Sequence, residues 1–241
     1  MELTAVIETR SLNKRFGGVV AADNVNFKVL SGELRCMIGP NGAGKSTLFA
    51  MLSGIERADS GQIFIFGQDV TRKQSFQRVK LGVGLTFQTN RAFHELSVRE
   101  NLAIPQASAK LENKQAGQAR LEFALDAFGL DPNDETKAAE IPHNQLQWLE
   151  IAMVLVGYPN LVLLDEPTAG MASEETQQTA KVLKHLNSTG LTIVVVEHDM
   201  AFVKDVAQTV TVLHQGQIFA EGSVAEITAH ADVRKIYLGR V

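Results

Sequence analysis

One nine-residue stretch constrains this chain more than any other: Gly39-Pro40-Asn41-Gly42-Ala43-Gly44-Lys45-Ser46-Thr47. It satisfies G-x-x-x-x-G-K-[ST], the pattern of a loop that wraps phosphates. The flanks give it the required setting. Glu33–Ile38 reads as an apolar strand before the loop, and Thr47–Gly54 as a helix opening after it. Glycines at 39, 42 and 44 free the backbone to turn its N–H groups inward, and the helix N-terminus adds positive potential. Asn41, Ala43 and Thr47 complete the cradle. Lys45 is expected to reach the β- and γ-phosphates, and the Ser46 hydroxyl to ligate Mg²⁺. A solvated glycine-rich turn is the competing reading, and the strand and helix on either side count against it.

The remaining composition narrows the class. With 241 residues and 45% hydrophobic content the chain supports one large domain, or a core with a small subdomain. A net charge of −4 gives no sign of a nucleic-acid partner. No apolar run approaches the roughly 18 residues that span a bilayer, and the N-terminus lacks signal-peptide character. Cys36 is the only cysteine, which excludes an intrachain disulfide and fits a reducing, cytoplasmic setting. Its place in the strand before the loop makes it a small buried hydrophobe rather than a reactive thiol.

Taken in order, Val6–Thr9 predicts an opening strand and Val25–Val29 a second, joined through a turn at Asn13–Gly18 in a hairpin-like antiparallel sheet. Phe16 falls in that turn, either as core or as a face for a purine ring, and the local sequence favours core. Gln62–Gln68 and Val83–Gln88 read as further strands. From about Asn90 to Pro142 helical periodicity dominates, with a capping box at Ser97 and Glu100. Lys110–Phe128 is a helix whose apolar face carries Leu121, Ala124, Leu125 and Phe128. A helix at Gln147–Leu155, strands at Leu161–Leu164 and Leu191–Val196, and a helix at Glu174–Leu186 follow. Strands at Thr209–Leu213 and Gln217–Ala220 and one helical stretch from Ser223 to Tyr237 end the chain. Apolar strands interleaved with helices predict an α/β core with a mostly parallel sheet. The expected architecture is a P-loop nucleotide hydrolase core in a single domain over residues 1–241. It carries an antiparallel N-terminal sheet and a helical subdomain inserted at about 89–157.

A phosphate loop needs a carboxylate at the end of a neighbouring strand to hold the metal. Leu161–Leu164 runs straight into Asp165-Glu166. Asp165 is the expected magnesium partner, direct or through water. Glu166 is placed to orient or deprotonate an attacking water. Val194-Val195-Val196 then runs into Glu197-His198-Asp199, and ligand chemistry in such sheets gathers outside that edge. His198 is a candidate for contact with the γ-phosphate or the water, and Gln88 for sensing metal or water. Either would be an ordinary surface residue if isolated. Histidines 94, 143, 185, 214 and 230 lack metal-ligand spacing.

These motifs, in this order, resemble the nucleotide-binding subunits of ATP-binding-cassette transporters over essentially the whole chain. The resemblance implies that Gly39–Thr47 is the Walker A loop and Leu161–Glu166 the Walker B strand with its catalytic glutamate. It makes Gln88 the Q-loop glutamine and His198 the switch histidine. Pro167–Met171 matches the approach to the D-loop, and Phe16 takes the place of an adenine-stacking aromatic, which reverses the local preference for core. The implied cofactors are ATP and Mg²⁺. The implied partners are a second cassette ATPase subunit, two transmembrane permease subunits and, through them, a periplasmic receptor, with this chain peripheral on the cytoplasmic face of the inner membrane. Phe16-Gly17-Gly18 and Glu166–Met171 resemble the branched-chain amino acid importers. Gln147–Ile151 and the stretches Val212–Gly216, Ala220–Gly222 and Tyr237–Arg240 resemble the urea-type ATPase subunit. Urea or a short-chain amide is therefore the expected cargo, with amino acids and a nucleotide-sensing or scaffold role as alternatives.

One departure stands out. Where the family signature reads Leu-Ser-x-Gly-Gln, this chain has Ile141-Pro142-His143-Asn144-Gln145. Pro142 replaces a serine that donates to the γ-phosphate held by the opposite subunit, and Asn144 replaces a glycine that admits close backbone approach. Proline offers neither a side-chain donor nor an amide hydrogen. By analogy with oxyanion donors, each loss costs roughly 2.7–4 kcal/mol. Ala172 also stands where relatives carry a polar residue. The expectation is an asymmetric heterodimer in which the chain's own Walker half is intact and the half it lends its partner is weak.

Overall fold

The computed structural model describes residues 4–86, 92–108 and 111–238. Its strands are β1 (Ala5–Phe16), β2 (Val19–Val25), β3 (Lys28–Leu30), β4 (Leu34–Ile38), β5 (Ser60–Ile65), β6 (Gln68–Asp69), β7 (Val83–Leu85), β8 (Leu161–Asp165), β9 (Thr192–Val196), β10 (Thr209–His214) and β11 (Gln217–Gly222). Its α-helices are α1 (Lys45–Ser53), α2 (Ser75–Val79), α3 (Val98–Ala103), α4 (Lys114–Phe128), α5 (His143–Val156), α6 (Ser173–Ser188), α7 (Met200–Val206), α8 (Val224–Ala229) and α9 (Ala231–Leu238).

The core sheet has the order β11-β10-β4-β9-β8-β7, parallel from β10 to β7 with β11 antiparallel at one edge. Both its faces are covered, which is why its central strands are apolar without interruption. Side chains alternate between two cores. Val162, Leu164, Ile193 and Val195 enter the core that includes α4, α5 and α6. Leu161, Leu163, Val194 and Val196 enter the core shared with α1 and the N-terminal sheet. That second sheet is antiparallel, with β1 paired to β2, β3 and β5. The expected α/β core, antiparallel N-terminal sheet and inserted helical subdomain are all present, the last built from α3, α4 and α5 between β7 and β8. In α4, Leu121, Ala124, Leu125 and Phe128 are buried as the periodicity predicts, and Phe128 stacks on Trp148 of α5 at 5.0 Å.

Three local expectations need correction. The turn predicted at Asn13–Gly18 is mostly strand, because β1 runs on to Phe16 and β2 begins at Val19. Tertiary contacts override the turn-forming residues here. Lys14 is only 9% exposed, and its ammonium is held by Glu56 at 2.8 Å, Asp59 at 3.2 Å and the Arg57 carbonyl at 2.9 Å. The chain reverses at Gly17-Gly18 instead, with Gly17 at φ +56°.

Helix α5 begins at His143, four residues before the predicted Gln147, with Pro142 (φ −58°, ψ 153°) as its cap. A proline there forfeits no helical hydrogen bond, and its carbonyl accepts the Leu146 N–H at 3.0 Å. The single helix predicted from Ser223 to Tyr237 is two, broken at His230. The Arg234 guanidinium takes the Thr228 carbonyl at 2.8 Å, which ends α8.

Candidate nucleotide site

Strands β4, β8 and β9 lie side by side and end on one edge, so the loops that follow them converge there. The loop after β4 enters α1 through Gly44, at φ +101°. A Cβ on Gly44 would lie 2.3 Å from the Ala21 carbonyl oxygen, so only glycine lets the loop seat against β2. The Ala43 carbonyl accepts the Gly216 N–H at 3.0 Å, tying the loop to the β10–β11 turn. Asn41, Gly42 and Ser46 stay exposed at the loop's rim while Gly39, Ala43 and Lys45 are buried. The Lys45 ammonium donates to the carbonyls of Gly39 (2.6 Å) and Pro40 (3.2 Å). Burial lowers its pKa, opposed by the charges of Glu166 and Asp165.

After β8, the Asp165 N–H donates to the Thr86 hydroxyl at 3.2 Å. Burial first, then the charge of Glu166, pushes the Asp165 carboxyl up to about 6, with Lys45 pulling the other way. Glu166 has φ +49°, left-handed backbone for a non-glycine residue. Its N–H is held by the Val196 carbonyl at 2.9 Å. Such a conformation costs of order 1–3 kcal/mol and persists where neighbours over-determine it. It sets the Glu166 carboxylate 3.7 Å from Nδ1 of His198, which is well exposed.

Phe16 is 48% exposed with Lys14 over its ring at 5.0 Å, which excludes the core reading and leaves the ring available for stacking. Gln88 lies outside the described residues; the strand leading to it, β7, pairs with β8. Cys36 is buried, and that burial raises its thiol pKa. Among the other histidines, His185 stacks on Phe123 while His214 and His230 each meet Phe219 edge-on. Among the described residues no group of His, Cys, Asp and Glu could hold a metal by itself. A site built on one hydroxyl (Ser46) and one carboxylate (Asp165) matches a cation that takes its remaining ligands from phosphate and water, as Mg²⁺ does.

The Ile141–Gln145 segment lies at the start of α5. Ile141 and Pro142 precede α5, and His143, Asn144 and Gln145 form its first turn. Its recorded contacts run to the loop after β8. His143 Nε2 lies 3.4 Å from the Ala169 carbonyl, to which the Gln147 amide donates at 3.0 Å. Two residues that sequence reasoning passed over hold the edge together. They are Thr86, which accepts from Asp165, and Glu197, a fully buried acid whose only sequence signal is its place after an apolar strand.

The sequence profile of the ABC transporter family matches residues 22–169. The chain belongs to the ABC transporter family. It carries the ATP-binding and hydrolysing architecture of that family's ATPase subunits. It is 32% identical over 97% of its length to the branched-chain amino acid transport ATP-binding protein BraF of Pseudomonas aeruginosa, and covers 98% of that protein. It is 35% identical over 99% of its length to the Escherichia coli K12 ABC transporter ATP-binding protein YphE, and spans 48% of YphE's length. Among solved structures, the ADP conformation of MJ1267, an ATP-binding cassette of an ABC transporter, superposes with a TM-score of 0.85 at 28% identity, covering 98% of this chain and 100% of that one. These relatives overturn the urea expectation. Relatives named for a transported substrate include branched-chain amino acid transport proteins at 32% identity and methionine import proteins at 33–35% identity. Of the stretches that suggested urea, Gln147–Ile151 lies in α5 and Val212–Gly216 and Ala220–Gly222 belong to the β10–β11 hairpin, while Tyr237–Arg240 runs beyond the described residues. Among the described residues no helix is long and apolar enough to cross a membrane.

Proposed function

We propose that this chain binds and hydrolyses Mg·ATP to energise a membrane importer of branched-chain or other amino acids. It would work as a peripheral subunit on the cytoplasmic face, with a second cassette ATPase subunit, two permease subunits and a periplasmic receptor reached through them. The observation that carries the reading is the convergence of Lys45, Asp165, Glu166 and His198 on one sheet edge, with Glu166 held in a strained backbone beside His198.

In this reading the Gly39–Thr47 backbone cradles the phosphates and Lys45 leaves its own loop carbonyls for the β- and γ-phosphates. Ser46 and Asp165 hold Mg²⁺, which supplies Lewis-acid polarisation of the phosphoryl oxygens when bound. Glu166 orients or deprotonates the attacking water, His198 contacts the γ-phosphate or that water, and Phe16 stacks on the adenine. Gln88 senses metal or water. The chain is a single cassette with its helical subdomain at about residues 89–157. A cavity of about 250 Å³ between β7 and α5, lined by Val79, Val83, Leu85, Met153, Val154 and Pro159, supports permease contact on that side.

The Ile141–Gln145 segment supports a heterodimer with unequal sites. Pro142 caps α5 through its carbonyl and presents no donor at the position where one would face the partner's nucleotide. The test is amino acid uptake and ATP hydrolysis by the chain reconstituted with its co-purifying partner and permeases. Substrate-stimulated hydrolysis lost with Glu166→Gln supports the reading. Uptake unaffected by that substitution contradicts it.

A further inference from the structure

Glu197 is 0% exposed at the C-terminal end of β9, and its carboxylate bridges the two loops that carry Glu166 and His198. One oxygen, Oε1, accepts from the Thr168 hydroxyl at 2.5 Å and from the Thr168 N–H at 3.3 Å, on the loop after β8. The other, Oε2, accepts from the N–H groups of His198 (2.9 Å) and Asp199 (3.4 Å), on the loop after β9. Its own N–H donates to the Met37 carbonyl at 3.2 Å, which ties the same point to β4 just before the phosphate loop. The nearest basic side-chain nitrogen recorded for it is His198 Nδ1, 3.8 Å from Oε2.

All four groups that face the carboxylate are donors, so both its oxygens must accept. A glutamine would have to turn its NH₂ group either against the N–H groups of His198 and Asp199 or against the Thr168 N–H, and an apolar residue would leave all four donors without these partners. Burying an acid without a lysine or arginine partner is unfavourable unless its hydrogen bonds are complete. Here they are. We infer that Glu197 is a positioning residue for hydrolysis, locking the Thr168 loop to the His198 loop so that Glu166 and His198 face each other across the phosphate edge. The inference rests on the proposed roles of Glu166 and His198. In this role Glu197 acts through the loops it joins.

The test uses the full chain with its co-purifying cassette partner and permeases. It measures kcat and KM for ATP, binding of a fluorescent ATP analogue and thermal unfolding for Glu197→Gln, Thr168→Val and Thr168→Ser, with Glu166→Gln as control. Glu197→Gln should lower kcat by roughly 10²-fold, the scale of a lost positioning contact, with KM and analogue affinity within about twofold. Thr168→Val should lower kcat by about tenfold and Thr168→Ser should restore it, because serine keeps the hydroxyl. The Glu197→Gln, Thr168→Val double variant should be no slower than Glu197→Gln alone. An unchanged kcat in Glu197→Gln, or serine and valine behaving alike at Thr168, overturns the inference. If Glu197→Gln does not fold, the Thr168 pair decides alone. Full activity in Glu166→Gln would instead remove the site reading, and the positioning role with it.

Discussion

At the edge where β4, β8 and β9 end, strained backbone and buried polar contacts hold the side chains in place. Lys45 is buried on its loop, Glu166 is held at φ +49°, and Glu197 staples the surrounding turns. At the N-terminus of α5 the arrangement serves the helix. Pro142 caps it, Leu146 bonds back to Pro142, and His143 and Gln147 reach the Ala169 carbonyl. The first region spends backbone strain and buried charge to aim side chains. The second has a proline at the helix cap, which costs the helix no hydrogen bond but offers neither a side-chain nor an amide donor. Under the proposed function, this contrast corresponds to a chain that keeps its own half of a shared nucleotide site and relaxes the half it offers a partner.

The largest expected effect comes from removing the charge at the first region. Lys45→Ala should abolish detectable ATP hydrolysis and weaken nucleotide binding, with the rate falling by more than roughly 10²–10³-fold. Steady-state hydrolysis and equilibrium nucleotide binding read both, and near-normal affinity would break the assignment of that edge. Next comes Glu166→Gln, which should slow hydrolysis by roughly 10²–10⁴-fold while leaving ATP bound, since only the step involving water is touched. Retained ATP is checked by extracting nucleotide from the purified variant.

At the second region the expected change is a gain. Pro142→Ser with Asn144→Gly should raise the hydrolysis rate of the chain studied without a partner by about tenfold or more, by restoring a hydroxyl donor and close backbone approach. No gain, with α5 still folded by circular dichroism, would mean that the segment does not limit turnover.

The smallest effect concerns Asp165. Burial and the charge of Glu166 raise its carboxyl from 3.8 to about 6 in the folded chain. Between about pH 4 and pH 6 the folded state therefore binds the proton that the unfolded state has released, and stability falls as pH rises through that window. Because Asp165 is partly solvated the slope should be shallow. Asp165→Asn should flatten it and leave the ligand-free protein slightly more stable above pH 6, measured by denaturant midpoints across pH.

Much of this was legible in the sequence because its signals are local. Leu161–Leu164 and Leu191–Val196 are short, almost wholly apolar runs rich in β-branched residues or bounded by polar ones, which reads as strands covered on both faces, and the loop at Gly39–Thr47 carries its own geometry. What escaped depends on contacts distant in sequence. Nothing near Lys14 announces that Glu56 and Asp59 will neutralise it and carry β1 past the predicted turn. The local sequence around Phe16 favours core and only the family resemblance points to stacking, and its ring is exposed. Glu197 reads as one more polar residue after a strand, and only the fold brings Thr168 to it. The urea expectation rested partly on Val212–Gly216 and Ala220–Gly222, which belong to the β10–β11 hairpin, whereas relatives named for a cargo carry amino acids.

The most direct test of unequal sites places Glu166→Gln in this chain and the matching substitution in the partner cassette, separately, and measures ATP hydrolysis by the complete assembly. Loss of nearly all turnover with Glu166→Gln here, and retention of most of it with the partner's substitution, is the predicted result. Equal losses from either side, or vigorous hydrolysis by this chain as a homodimer, would contradict it.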